Sequence, residues 1–338
     1  MQVLVNGLGN IGSTLVNLLQ RYQAELGIHT LYANKNTPRA WQAADLDHLR
    51  ANGVVLCTPS TAAGLTPLDT VLPHIDYIFE TGANGAGMRN QARYAALPKL
   101  QGCVAQGSEK GFGTPFMSGV NDALITGQKF VQVVSCNTHG TAALLGSLAG
   151  WRLENLDCAD MVVVRRSEDL GNHERLVSAN VVARHLDPLI GTHHAMDVCD
   201  MFATLQVPCQ LTSSDITTPS QLMHAVRFHI QLKQALTPAA IAAKISQNAF
   251  LAQTQKFDSN VIFELGRRYG FNGRIFSHAI VVAHNLIIQG PTIKGWAFVP
   301  QEGNTLISSL HAMLLQMQRP NTDAILAQIK LDLLRTRW

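Results

Sequence analysis

Short apolar runs separated by helical stretches fill the first 138 residues. Strands are predicted at Val3–Asn6, Ile28–Ala33, Gly53–Thr58, Ile75–Glu80, Gly102–Gln106 and Val131–Ser135. The clearest helix between them runs over Ile11–Tyr22. Such alternation reads as a parallel, doubly wound sheet. From about residue 139 the texture changes. Asp160–Arg166, Phe202–Leu211, Ala225–Leu232 and Ile280–Ile288 read as strands, and Leu236–Gln247 as a helix opened by Thr237-Pro238. Strands gathered late, with few helices between them, predict a mixed or antiparallel sheet. Over Asn304–Leu334 the apolar positions recur at helical spacing. The expected class is α/β, in three segments: 1–138, 139–303 and 304–338, the last packing back on the first.

Composition narrows the function classes. At 338 residues the chain can hold two cores. Hydrophobic residues make up 46% and charged residues 14%, which excludes a disordered tail protein. A net charge of +3 gives no case for a nucleic acid or membrane surface as partner. No apolar run approaches the roughly 18 residues of a bilayer span. No secretory signal is visible at the N-terminus. Six cysteines lie at 57, 103, 136, 158, 199 and 209, with no CxxC spacing, so no metal is expected and a reducing cytoplasm fits best. Cys57 and Cys103 read as core fillers.

The opening Val3-Leu-Val-Asn-Gly7-Leu-Gly9-Asn10-Ile11-Gly12 matches G-x-G-x-x-G between a strand and a helix. Gly7 permits the tight turn, Gly9 lets a pyrophosphate approach the backbone, and Gly12 lets helix and strand pack. Asn10 and Ile11 open the helix whose N-terminus would face the phosphates. Residues 1–138 are thus expected to be a Rossmann dinucleotide-binding domain and 139–303 an α+β catalytic domain. After the second strand comes Ala33-Asn-Lys35-Asn-Thr-Pro-Arg39, with no acid for a ribose 2′-hydroxyl and two cations for a 2′-phosphate. NADP is favoured over NAD.

Cys136 lies where the Val131 run gives way to a Gly/Ala/Leu-rich helical stretch. A thiol in the first turn of a helix is biased toward the thiolate, a strong nucleophile. Among 13 histidines, His224 stands at the entry to an apolar element, and His193-His194 form a pair. A thiolate, a base and a nicotinamide together point to aldehyde oxidation through a thioester.

Seven collinear segments carry a family resemblance. They are Ala33-Asn-Lys35, Gln106-Gly107-Ser108-Glu-Lys110, Ser135-Cys136-Asn137-Thr138, Val164-Arg165-Arg166-Ser-Glu-Asp169, Thr192-His193-His194, Leu222-Met223-His224 and Val299-Pro300-Gln-Glu302. The chain resembles the type II (archaeal-type) glyceraldehyde-3-phosphate dehydrogenases, as a divergent member. The resemblance implies Cys136 as nucleophile and His224 as general base. It implies substrate contacts at Ser135, Asn137, Thr138, His193, His194 and Arg166. Cofactor contacts are implied at Gly107, Arg165 and Lys294, beside Lys35 and the glycine turn. It further implies a phosphorylated aldehyde and inorganic phosphate as reactants, and a homotetramer. The alternatives are another aldehyde or non-phosphorylating release, and a non-catalytic nucleotide sensor. His139, Lys294 and Leu170 depart from the family pattern. His139 is expected to bind an anion if protonated, or to compete as a base.

Overall fold

Residues 2–12 form a strand, a glycine turn and a helix, and a parallel sheet grows from them. The computed structural model describes residues 1–60, 64–107, 109–167, 177–220 and 222–338. The motif residues Ser108, Glu168 and Asp169, and the departure at Leu170, lie outside the described residues. The chain divides into two units, Met1–Val133 with Ser308–Gln328, and Val134–Ile307 with Ile329–Trp338.

The first unit holds β1 (Gln2–Asn6), α1 (Asn10–Arg21), β2 (Thr30–Asn34), α2 (Ala43–Ala51), β3 (Val55–Thr58) and β4 (Thr66–Pro67). It continues with α3 (Leu68–Val71), β5 (Tyr77–Glu80), α4 (Ala86–Ala95), β6 (Gly102–Gln106), β7 (Thr114–Phe116) and β8 (Phe130–Val133). These eight strands make one sheet in the order β4-β3-β2-β1-β5-β6-β8-β7, and every pairing is parallel. Burial on both faces explains why β1 and β5 read as unbroken apolar runs. The chain runs outward from β1 to β4, then returns to place β5 on the other side of β1. That reversal opens a crevice at the carboxyl ends of β1 and β5. Glu80 is 2% exposed and locks this centre. It accepts hydrogen bonds from Asn6 Nδ2 (2.7 Å), Tyr94 Oη (2.6 Å), Asn90 Nδ2 (3.0 Å) and Gly82 N (2.9 Å).

The second unit begins with α5 (Cys136–Ala149), β9 (Leu156–Arg166), β10 (Val181–Val182), α6 (His193–Ala203), β11 (Leu211–Thr218) and β12 (His224–Leu232). Then follow α7 (Pro238–Gln247), β13 (Leu251–Thr254), α8 (Ser259–Tyr269), β14 (Ala279–Val282), β15 (Ile287–Gln289) and β16 (Thr292–Val299). Helices α9 (Leu306–Gln316) and α10 (Thr322–Leu333) close the chain. The second sheet runs β10-β11-β9-β12-β16-β14-β13, with β15 on β16. It is mixed: β11 pairs parallel to β9, while β12 is antiparallel to both β9 and β16. The fold is therefore α/β, with a Rossmann-like parallel sheet and a second mixed sheet. Among the described residues no helix is long and apolar enough to cross a membrane.

Two strand expectations are corrected. Phe202 and Ala203 finish α6 rather than start a strand, and only Leu211 of that run enters β11. Between them Gln206 adopts a φ of 58°, and Val207 N bonds back to Phe202 O at 3.2 Å. An apolar run containing a helix end and a turn was indistinguishable by hydrophobicity from a strand. Ile280–Ile288 breaks at a tight turn over Ala283–Asn285, so it supplies β14 and β15 rather than one strand.

Candidate functional site

Two constructions matter, one in each unit. In the first, Gly7 follows β1 with a φ of 117°, and a Cβ there would lie 2.7 Å from Thr81 O. At Gly12 a Cβ would lie 1.8 Å from Gly7 O, so only hydrogen fits where α1 meets the turn. At Gly9 a Cβ would meet nothing within 4 Å. The turn is thus tight at its two ends and open in the middle, the shape a pyrophosphate needs. Helix α1 has Gly9 as N-cap, no side-chain cap and no acid in its first turn, so its dipole favours an anion there. Lys35, after β2, reaches the same turn, donating from Nζ to Leu8 O at 3.3 Å. Burial, then Arg39, lowers its pKa. Asn34 is held in place by bonds from its Nδ2 to Asn6 Oδ1 (2.6 Å) and Asn36 Oδ1 (2.8 Å). This residue set fits a dinucleotide.

In the second unit, Cys136 is the first residue of α5 and half-buried. Ser135 caps the helix, its Oγ accepting from Thr138 N at 3.4 Å and lying 2.9 Å from Thr138 Oγ1. Asn304 is fully buried and donates to Cys136 O (3.0 Å) and His278 O (3.1 Å), pinning the first turn. Gly140 shares the Cys136 face of α5, four residues on. Its missing Cβ would stand 3.1 Å from Val299 Cγ2, and Val299 is the β16 partner of His224. The cysteine-bearing face of α5 therefore meets the end of β12 and β16 where His224 lies. Asn137 is 4% exposed and its Oδ1 has no hydrogen-bond partner among the described residues. A buried bare acceptor beside a thiol is a natural contact for a substrate hydroxyl.

His224 is 8% exposed, and its Nδ1 accepts from Arg166 N at 3.2 Å. The ring proton is therefore on Nε2. With the Gln301 amide oxygen turned toward this cluster, it accepts from His224 Nε2 (3.2 Å) and Arg166 Nη2 (3.0 Å). Burial, then Arg166, Arg165 and His194, push the His224 pKa well below its usual value. The imidazole is neutral at physiological pH. Arg166 forms a buried ion pair with Glu302, so its charge is matched inside the protein.

A third cluster adjoins this one on the next strands. His194 Nε2 lies 3.3 Å from Asp215 Oδ2, and Arg165 Nη1 lies 3.8 Å from Asp215 Oδ1. Burial works to raise the Asp215 pKa, but the adjacent His194, with Arg165 and His193, outweighs it and lowers it. The His193 pKa is lowered, by burial and then by His194. Ser213 of β11 positions these histidines. Its Oγ accepts from Ala195 N (2.9 Å), supplying the cap that Thr192 does not. His193, His194 and Asp215 offer atoms within 4.8 Å of one another, a spacing that could hold a cation. The adjacent half-exposed Arg165 instead gives the cluster an outward face suited to an anion.

The structure thus brings together His224, Arg165, Arg166, His193 and His194, and sets Ser135, Asn137 and Thr138 around Cys136. Thr138 is fully buried and committed to the Ser135 cap. Gly107 follows β6 with a φ of 76° and open space at its Cβ position. Lys294 is not brought to His224. It sits on β16 opposite His229, five residues from Val299, roughly 17 Å along an extended strand. His139 is fully buried, with Nδ1 donating to Ser135 O at 3.0 Å and its ring 4.7 Å from that of His278. Burial lowers its pKa to about 4, so it neither carries a charge at neutral pH nor faces solvent. Sequence reading passed over Asn304, Asp215, Ser213 and Gln301. Only Gln301 carried a signal, next to the Glu302 of the Val299-Pro300 segment.

No family model matches the chain. Curated relatives similar to it include archaeal proteins named glyceraldehyde-3-phosphate dehydrogenase. The protein from Thermococcus kodakarensis is 28% identical over 172 residues, 50% of this chain and 47% of that protein. That from Thermococcus onnurineus is 25% identical over 242 residues, 70% of this chain and 68% of that protein. That from Halobacterium salinarum is 27% identical over 179 residues, 51% of this chain and 50% of that protein. The chain spans about half the length of the first of these relatives.

Proposed function

We propose that the chain is a divergent member of the type II glyceraldehyde-3-phosphate dehydrogenases, a phosphorylating oxidoreductase that oxidises the aldehyde through a thioester on Cys136. The first unit is its dinucleotide-binding domain and the second its catalytic domain. The observation that carries the reading is the placement of Cys136 at the first turn of α5, on the face that meets the register partner of His224. The archaeal relatives add the substrate class.

The Cys136 thiolate, favoured by the N–H groups of α5, attacks the aldehyde carbon to give a hemithioacetal. Nε2–H of His224 donates to the oxygen that becomes negative in that step. Acting as the base for the thiol instead requires the ring proton to move to Nδ1, which breaks the bond from Arg166 N. The substrate phosphate is held by His193, His194 and Arg165, and Asn137 Oδ1 accepts from a substrate hydroxyl. A nicotinamide cofactor, when bound by the glycine turn and Lys35, supplies the hydride acceptor that leaves Cys136 as a thioester. Inorganic phosphate then attacks the thioester carbon, releasing the acyl phosphate and restoring the thiolate. NADP is the favoured form, because Lys35 is anchored beside the turn. A homotetramer rests on resemblance, and sedimentation equilibrium tests it.

The test follows NADPH formation from glyceraldehyde 3-phosphate with and without phosphate or arsenate. Phosphate-dependent turnover is expected. Turnover indifferent to phosphate overturns the phosphorylating reading, and cofactor binding with no aldehyde oxidation turns the reading to a sensor.

A further inference from the structure

Two other cysteines come together where α6 meets the segment entering β11. Cys199 lies in α6, and Cys209 lies just before β11. After α6 the chain reverses at Gln206, whose φ is 58°, and comes back along the helix end. Gln210 O then accepts from Ala159 N at 2.8 Å, fixing the returning segment to β9. This return brings Cys199 Sγ to 3.3 Å from Cys209 O, where the thiol donates. The neighbouring Cys209 thiol and the Leu211 N–H both favour the Cys199 thiolate. Both cysteines are half-buried, so a small oxidant can reach them. The other cysteines of this unit are Cys136 in the proposed active site and the exposed Cys158.

We propose that Cys199 and Cys209 are a redox modification site, oxidised by peroxide to a reversible intrachain disulfide. The two sulfurs are chemically unequal. The bond from the Cys209 thiol lowers the Cys199 pKa, while the same bond and burial raise that of Cys209. Cys199 is thus the attacking thiolate and Cys209 the resolving thiol. In the first step an S–O bond forms at Cys199 and the peroxide O–O bond breaks, releasing hydroxide. Cys199 becomes a sulfenic acid, oxidised by two electrons as the peroxide is reduced. In the second, Cys209 sulfur attacks Cys199 sulfur, the S–O bond breaks, and the oxygen leaves as water with the Cys209 proton. Overall two thiols and one peroxide give one disulfide and two waters. A thiol reductant reverses it by exchange. The closed loop ties α6, which begins with His193 and His194, to the segment entering β11, which carries Ser213 and Asp215.

The sequence allows a direct readout. No lysine or arginine lies between Arg184 and Arg227, so trypsin leaves Cys199 and Cys209 alone together in one peptide. The full-length protein is treated with hydrogen peroxide at neutral pH, alkylated, digested and weighed. The 185–227 peptide should be two hydrogens lighter and unalkylated, and dithiothreitol should restore both. It should form before Cys158 is modified. In Cys209→Ser, Cys199 should accumulate as a sulfenic acid that dimedone traps. The proposal is overturned if both cysteines remain alkylatable at peroxide doses that modify Cys158. It is overturned equally if dimedone labels Cys199 no more in Cys209→Ser than in the wild type. Neither outcome depends on dehydrogenase activity, so the result stands apart from the proposed function.

Discussion

The glycine turn of the first unit and the Cys136–His224 centre of the second are built in opposite ways. The turn is made of backbone: close approach at Gly7 and Gly12, open space at Gly9, and an uncapped helix end. The proposed catalytic centre is held by buried tertiary contacts: the Asn304 side chain on the Cys136 carbonyl, the Arg166 N–H on the His224 ring, Glu302 on Arg166 and Asp215 beside His194. A backbone device depends on a few residues close in sequence. A side-chain device depends on partners far apart in sequence, and it loses most when one charged partner is removed.

The largest expected effect is therefore in the second unit. Glu302→Ala removes a buried charge partner of Arg166 and should cost about 3–5 kcal/mol of stability, read by urea unfolding. A loss below about 1 kcal/mol would show that the ion pair does not hold this cluster. In the first unit, Gly12→Ala drives a methyl into Gly7 O and should cost about 3 kcal/mol. Gly9→Ala should leave the melting temperature unchanged and weaken dinucleotide binding about tenfold. Equal unfolding losses from the two would break the distinction between packing and approach. Next comes cofactor choice. Lys35→Glu should weaken NADP about tenfold or more while sparing NAD, measured by fluorescence titration. Equal losses would remove the 2′-phosphate argument.

The smallest effect is a pH dependence. The folded pKa of His139 is depressed to about 4, from an unfolded value of 6.5. The unfolded chain therefore binds the extra proton first as pH falls. Its contribution is intact above pH 6.5 and lost progressively down to about pH 4. At pH 5.5 this one histidine should account for about 1 kcal/mol of the loss relative to pH 7.5. His139→Gln should flatten that slope in paired urea unfolding curves. An unchanged slope would mean that His139 titrates normally.

What was legible in the sequence follows the same division. The strand, turn and helix at residues 2–21 were readable because glycine spacing and apolar periodicity are local signals. The cap of Thr237 before α7 was local too. The β11 strand was missed because its Thr/Ser/Asp composition hides its burial. Ser213 and Asp215 are each 2% exposed, sheltered by α6. β16 was passed over although its residues alternate, because Lys294 drew attention as a motif residue rather than a strand position. His139 invited a chemical role from its distance of three residues to Cys136, but it is fully buried with its ring against that of His278.

The most direct test of the central claim is to look for the acyl enzyme. The protein is mixed with glyceraldehyde 3-phosphate and NADP in phosphate-free buffer, quenched in acid, digested and weighed. The account predicts a phosphoglyceryl adduct on the Cys136 peptide that disappears when phosphate is added. NADPH formation with Cys136 unmodified, or an adduct on another residue, would contradict it.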